Sequence, residues 1–198
     1  MTKSRLEAFS DGVLAIIITI MVLELRIPER ASFLALIKLY PVFLSYILSF
    51  VFIAIYWVNH HHLLHTVYHV NSRIMWANMF LLFCLSLIPF TTGWMGHNHF
   101  DKIPVALYAI NLLLCAFAFY ILQKTIISHY THSSNLIEAL KKQDKKGIIS
   151  LVIYFISIPC ALFYPLISAA LFVFVAIIWV RPDKKIELAL KEINVHQG

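Results

Sequence analysis

Apolar residues along this 198-residue chain gather into long blocks separated by short polar stretches, instead of alternating with polar ones. An unbroken apolar block of about 18 residues or more is the signature of a helix that crosses a bilayer. Such blocks predict six spans, at residues 8–25, 34–58, 74–95, 103–123, 148–164 and 165–181. The last two meet at Tyr164–Pro165, where proline disfavours helix for the residue before it, so the step reads as a tight hairpin. A re-entrant segment or one long kinked helix is the competing reading. The fold class expected is therefore all-α and polytopic, with residues 1–181 as one transmembrane unit and 182–198 as a short cytoplasmic amphipathic tail.

Composition sharpens this picture. With 61% hydrophobic and 13% charged residues, the chain lacks the polar surface of a soluble domain. The polar run before the first block, "MTKSRLEAFSDG", is short and no small-residue cleavage pattern follows, so the first helix is expected to be retained. Of the 16 Lys and Arg, Lys3, Arg5, Arg73, Lys124, Lys141, Lys142, Lys145, Lys146, Arg181, Lys184, Lys185 and Lys191 fall on one side of the predicted topology. Only Arg26, Arg30, Lys38 and Lys102 fall on the other, which places both termini in the cytoplasm by the positive-inside bias. The formal charge of +6 is then a property of loops near anionic lipid and does not point to nucleic acid. Cys84, Cys115 and Cys160 lie inside apolar blocks, where Cys is a small hydrophobe, and give neither a disulfide framework nor a zinc site. The stretch "SHYTHSSNLIEALKKQDKKG" reads as a solvated basic connection with a short amphipathic piece at Leu136–Leu140.

The first block holds the residues that need explaining. On a helix at about 100° per residue, with Arg5 at zero, Phe9, Gly12, Ile16, Thr19, Ile20 and Leu23 fall within about 60° of one line. Ser10 and Asp11 point elsewhere, near 140° and 240° on the same wheel (about 100° per residue). A carboxylate in hydrocarbon is costly without a partner, so Asp11 and Ser10 are expected to bond neighbouring helices and fix the pose of the first. Arg5, Arg73, a protonated histidine, Trp57 and Trp76 are compatible partners for Asp11, and Asn78 for Ser10.

"RLEAFSDGVLAIIIT" resembles the Arg-x-x-x-Phe-Ser-Asp signature that opens the first helix in the transmembrane protein 175 family of lysosomal and prokaryotic potassium channels. Arg5, Phe9, Ser10, Asp11, Ala15, Ile16 and Thr19 carry the match. Trp57-x-x-His60 and Asn78 followed by Ile88-Pro89-Phe90-Thr91 are similar to further parts of the family pattern, whereas the last three spans match by hydropathy only. Prokaryotic members have six spans and one copy of the signature and form tetramers; animal members have two copies and form dimers. The resemblance thus implies a homotetramer in the cell membrane, conducting potassium over sodium through a pore lined by the first helices. It places the constriction on Ile16, Ile20 and Leu23, the selective polar layer on Thr19, and an inter-helix network on Arg5, Phe9, Ser10, Asp11, Trp57, His60, Trp76 and Asn78. Whether protons also permeate stays open. Potassium and other monovalent cations, lipid and further copies of the chain are the partners implied; no cofactor is.

The sequence independently lacks a "TVGYG"-type filter loop. His61, His65 and His69 repeat at i, i+4, i+8, a spacing that puts imidazoles on one helical face and suits a transition metal, yet no carboxylate or cysteine accompanies them in "NHHHLLHTVYHVNSR". Interfacial histidines that reach water are the reading adopted, and no metal site is expected. The alternative function is a proton-coupled or metal-ion secondary transporter using Asp11 and the His60–His69 cluster. It calls for helices broken near the midplane, whereas Gly and Pro fall mostly at span ends, with Pro41 and Pro159 the exceptions. No nucleophile motif surrounds Ser10, so an enzyme is not expected.

Overall fold

The computed structural model describes residues 2–28, 30–67, 69–128 and 134–180, with backbone alone for 134–143. Eight helices occur among these residues: α1 (Lys3–Leu23), α2 (Phe33–Ile37), α3 (Tyr40–His65), α4 (Ser72–Ser86), α5 (Ile88–His97), α6 (Lys102–Ile127), α7 (Ser134–Phe163) and α8 (Pro165–Val180). Side chains in the connecting turns decide where several of them start. Thr2 accepts from the Arg5 amide, Asn71 from the Ile74 amide and Asp101 from the Lys102 amide, each using one of the N–H groups that a helix start leaves unbonded.

Five helical stretches are long and apolar enough to cross a membrane: Lys3–Leu23, Tyr40–His65, Ser72–His97, Lys102–Ile127 and Asp144–Phe163. The sixth apolar helix, α8, has 16 residues. At about 1.5 Å per residue it is shorter than the ~30 Å of a bilayer core. It folds back on α7: Ser168 Oγ donates to the Ser157 carbonyl (2.9 Å) near the turn, and Trp179 Nε1 donates to Ser150 Oγ (2.8 Å) at the far end. Tyr164–Pro165 is thus the corner of an antiparallel hairpin.

Helix boundaries differ from the apolar blocks in an informative way. The second block, expected at 34–58, is split: α2 ends at Ile37, and α3 begins at Tyr40 with Pro41 in its first turn. A proline ring collides with the carbonyl four residues back, here that of Ile37, and cannot donate to it, which favours a break at this point. Conversely α1, α3 and α7 run past their apolar blocks into polar residues at one end, because backbone hydrogen bonding does not stop where hydropathy falls. α7 begins at Ser134, so the basic connection is largely helical. The tail expected at 182–198 lies outside the described residues.

Two cores hold the helices together. Leu6, Leu14, Ile17 and Met21 of α1 pack with Ile53 and Leu63 of α3, Ile74 and Leu81 of α4, and Cys115 and Leu122 of α6. Phe52, Met95, Tyr108, Tyr154, Phe172 and Val175 form the second, joining α3, α5, α6, α7 and α8. α3 and α5 approach closely at Gly96, where an added Cβ would stand 2.9 Å from the Val42 Cα and 2.3 Å from Ser45 Oγ.

The break between α4 and α5 is held by a side chain from another helix. Pro89 has no N–H, and Leu87 stands between the two segments. With its amide oriented so that both ends are satisfied, buried Asn111 of α6 donates to the Cys84 carbonyl (3.0 Å). It accepts from the Ile88 amide (3.2 Å) and from Thr91 Oγ1 (3.2 Å). Cys84 C=O and Ile88 N–H are the i, i+4 pair that would bond directly in a straight helix, so the amide is inserted into the ladder and keeps both groups paired.

Asn111→Leu, close in volume but without donor or acceptor, leaves the Ile88 amide unpaired in a dry core and the Cys84 carbonyl with the Leu87 amide (3.3 Å) as its remaining partner. It is expected to destabilise the fold by about 1–3 kcal/mol, read as a lowered midpoint in thermal unfolding of the purified protein.

Candidate functional site

α1 has two faces that differ in what covers them. Leu6, Ser10, Leu14, Ile17 and Met21 are buried against the rest of the chain. Phe9, Gly12, Ile16, Thr19, Ile20 and Leu23 lie along the other face and are all exposed. Ile16 is 58% and Leu23 78% accessible, and an added Cβ at Gly12 would touch nothing within 4 Å. This stripe is apolar apart from Thr19. The Thr19 hydroxyl donates to the Ile16 carbonyl (2.8 Å), so its hydrogen is engaged while the oxygen's acceptor capacity still faces outward. Beside the stripe, Ile16, Ile20 and Glu24 on one side and Ser86, Pro89 and Phe90 on the other enclose a groove of about 440 Å³.

The buried face is locked by a directional hydrogen-bond chain. Ser10 Oγ donates its only hydrogen to the Leu6 carbonyl (2.8 Å), so toward α4 it can only accept. Asn78 Nδ2 donates to it (3.0 Å), which turns the Asn78 oxygen to the opposite side. There His60 Nε2 lies 2.6 Å from Asn78 Oδ1, and an acceptor at that position requires the His60 hydrogen to be on Nε2. Ser10 and Asn78 are fully buried and His60 nearly so. α1, α4 and α3 are thereby joined at one depth.

Asp11 leaves this core on the other flank of α1, where Trp57 Nε1 of α3 donates to Oδ1 at 2.9 Å. Of its compatible partners, Trp57 is the one the fold brings into reach. Trp76, 70% exposed on α4, and Arg73 make neither hydrogen bond nor ion pair with Asp11 among the described residues. Arg5 is exposed, with its backbone amide on the Thr2 cap. At the same end, Lys3 Nζ donates to the His65 carbonyl (2.9 Å) and stands 4.0 Å from Glu7.

The histidines do not keep their expected register. α3 ends at His65 and is capped at Thr66, so His69 lies beyond the helix and cannot extend the face made by His61 and His65, whose rings meet at 5.3 Å. An i, i+4, i+8 face needs a helix about one turn longer than α3, which ends at His65. Among the described residues no three His, Cys, Asp or Glu come together as a metal site would require.

Two arrangements fall outside the sequence reading. Asn111 at the α4–α5 break is one. The other is a buried chain of hydroxyls, in which Thr92 Oγ1 donates to Ser49 Oγ (2.6 Å) and Ser49 pairs with Tyr108 OH (2.8 Å), tying α5, α3 and α6 together. Polar residues inside apolar blocks are the signal that could have found both.

Residues 5–89 match the family described as the endosomal/lysosomal potassium channel TMEM175. A potassium channel of Chryseobacterium sp. (strain P1-3) is 52% identical over 192 residues, which is 97% of this chain and 100% of that one. The endosomal/lysosomal proton channel TMEM175 of Danio rerio is 32% identical over 100 residues, 44% of this chain and 19% of its own. Among solved structures, the lysosomal potassium-selective channel TMEM175 homolog from Chamaesiphon minutus superposes with a TM-score of 0.81 at 25% identity, covering 90% of this chain and 96% of that one. The near-complete match to the Chryseobacterium channel, the match over 5–89 and the shared fold lead to one conclusion: the chain is a multi-pass membrane protein that belongs to the TMEM175 family of potassium channels, and is not an enzyme.

Proposed function

We propose that this chain forms a potassium-selective cation channel in the cell membrane, as a homotetramer whose four α1 helices surround the pore. The observation that carries the reading is the α1 stripe: a continuous face of Phe9, Gly12, Ile16, Thr19, Ile20 and Leu23 that its own chain leaves uncovered while the opposite face is buried. In this reading α8 crosses with the other spans despite its length, and both termini are cytoplasmic. Ile16 forms the constriction, with Ile20 and Leu23 further along. An ion entering a ring of aliphatic side chains sheds water and receives nothing in return, so the ring closes the pore by dewetting until the α1 helices spread or rotate. Thr19 supplies the oxygen layer that favours potassium over sodium. The Ser10–Asn78–His60 chain and the Asp11–Trp57 bond hold α1 at the angle that presents the stripe. Of the groups that a transporter built on Asp11 and the His60–His69 cluster would use, Asp11 and His60 are engaged in helix-to-helix bonds off the stripe, which supports the channel over the transporter.

Ile16→Asn keeps the side chain's size and hydrates the constriction. A barrier lower by ~1.4 kcal/mol corresponds to a cation flux on the order of tenfold higher in potassium-loaded liposomes. Val22→Ala, outside the stripe, leaves flux near the parent level. Equal flux from Ile16→Asn and the parent, at matched protein and oligomer size, removes α1 from the gate.

Thr19→Val preserves shape and removes the oxygen. The reversal potential in mixed potassium and sodium is expected to move toward equal permeability while current persists; an unshifted reversal potential rejects the selective layer.

Asp11→Ala breaks the Trp57 bond and is expected to lower the yield of assembled protein in size-exclusion profiles, with selectivity in the surviving channels unchanged. Normal assembly with altered selectivity would move Asp11 into the pore.

A further inference from the structure

One carboxylate on the groove has no hydrogen-bond or ion-pair partner among the described residues. Glu24 caps the end of α1, one residue after Leu23, and its side chain lines the groove with Ile16 and Ile20. It is exposed, and no hydrogen bond or ion pair engages its carboxylate among the described residues; Arg26 and Arg30, which follow it, make none with it. Its place is nevertheless defined. The carboxylate rests against Gly93 of α5, where an added Cβ would stand 2.8 Å from Glu24 Oε2 and 3.2 Å from Cδ. The missing Gly93 side chain is what leaves room for the charge at this end of the stripe.

We propose that Glu24 is a conductance-determining residue: four such carboxylates, one per subunit, give the mouth at the Leu23 end of the pore a negative potential that raises the local concentration of entering cations. The inference rests on the channel reading above. A charge at a mouth works through its field and need not point at the axis. Its reach is the Debye length, about 30 Å at 0.01 M salt and about 3 Å at 1 M. Charges of one sign around an entrance with low-dielectric walls focus that field on the entering ion.

The test uses single-channel recordings in planar bilayers of the full-length protein, in the Ile16→Asn background so that current is present, after size exclusion has matched the oligomers. At about 10 mM KCl, where the field reaches across the mouth, Glu24→Gln is expected to lower cation conductance on the order of two- to threefold. Glu24→Lys lowers it further, and at about 1 M KCl all three converge. Gly93→Ala pushes the flexible end of Glu24 from this seat without removing its charge, so at about 10 mM it lowers conductance less than Glu24→Gln does. Three results would overturn the inference: Glu24→Gln matching the parent at low salt, a loss that is the same at low and high salt, or a loss in Gly93→Ala equal to that in Glu24→Gln. If the Ile16→Asn background itself carries no current, the channel reading has failed and this inference falls with it; current that ignores the charge of residue 24 sinks this inference alone.

Discussion

The hydroxyl of Ser10 has one hydrogen, and the Leu6 carbonyl takes it. That local back-bond fixes the amide of Asn78 on α4, and Asn78 in turn fixes the tautomer of His60 on α3. Each group in the series has one remaining role, so the three helices share a single register at that depth. In hydrocarbon the series has no competitor, because no water offers an alternative donor or acceptor. The exposed face of α1 follows from it: once the 140° side of the helix is bound to its neighbours, the stripe on the opposite side is necessarily what the chain presents outward.

Much of this is legible in the sequence, and the limits are physical. Periodicity at 100° per residue is a property of one helix, so it separates Ile16, Thr19 and Leu23 from Leu14, Ile17 and Met21 without knowledge of any other element. Partner choice is a property of two helices. Trp57 and Trp76 are equivalent candidates for Asp11 on depth alone, and only the packing of α3 against that flank of α1 selects Trp57. Asn111 stands out as a polar residue inside an apolar block, but what it bonds, like the approach of Glu24 to Gly93, depends on neighbour order and axial offset together, which the linear pattern does not carry. Hydropathy also misplaces helix ends, since it responds to side chains, whereas α2 stops at Ile37 and α3 starts afresh at Tyr40 for a backbone reason set by Pro41.

The family match accounts for what this chain is, and the geometry for how its parts divide the work. One core fastens α1 to α3, α4 and α6; the other binds α3, α5 and α6 to the α7–α8 hairpin. α3, α6 and, through Ile88 and Met95, α5 belong to both, so a displacement of α1 is resisted chiefly by the first core and by the Ser10 and Asp11 contacts, while the hairpin side is anchored separately.

The Asn111 insertion has a kinetic consequence. A main-chain hydrogen bond within a helix can open by fraying of that helix alone. The Ile88 amide instead bonds to a side chain borne by α6, so its proton becomes exchangeable only when α6 withdraws from the α4–α5 break. Deuterium uptake at this one amide therefore times the separation of two spans, and serves as a clock for tertiary opening in a region where neighbouring amides report only secondary structure.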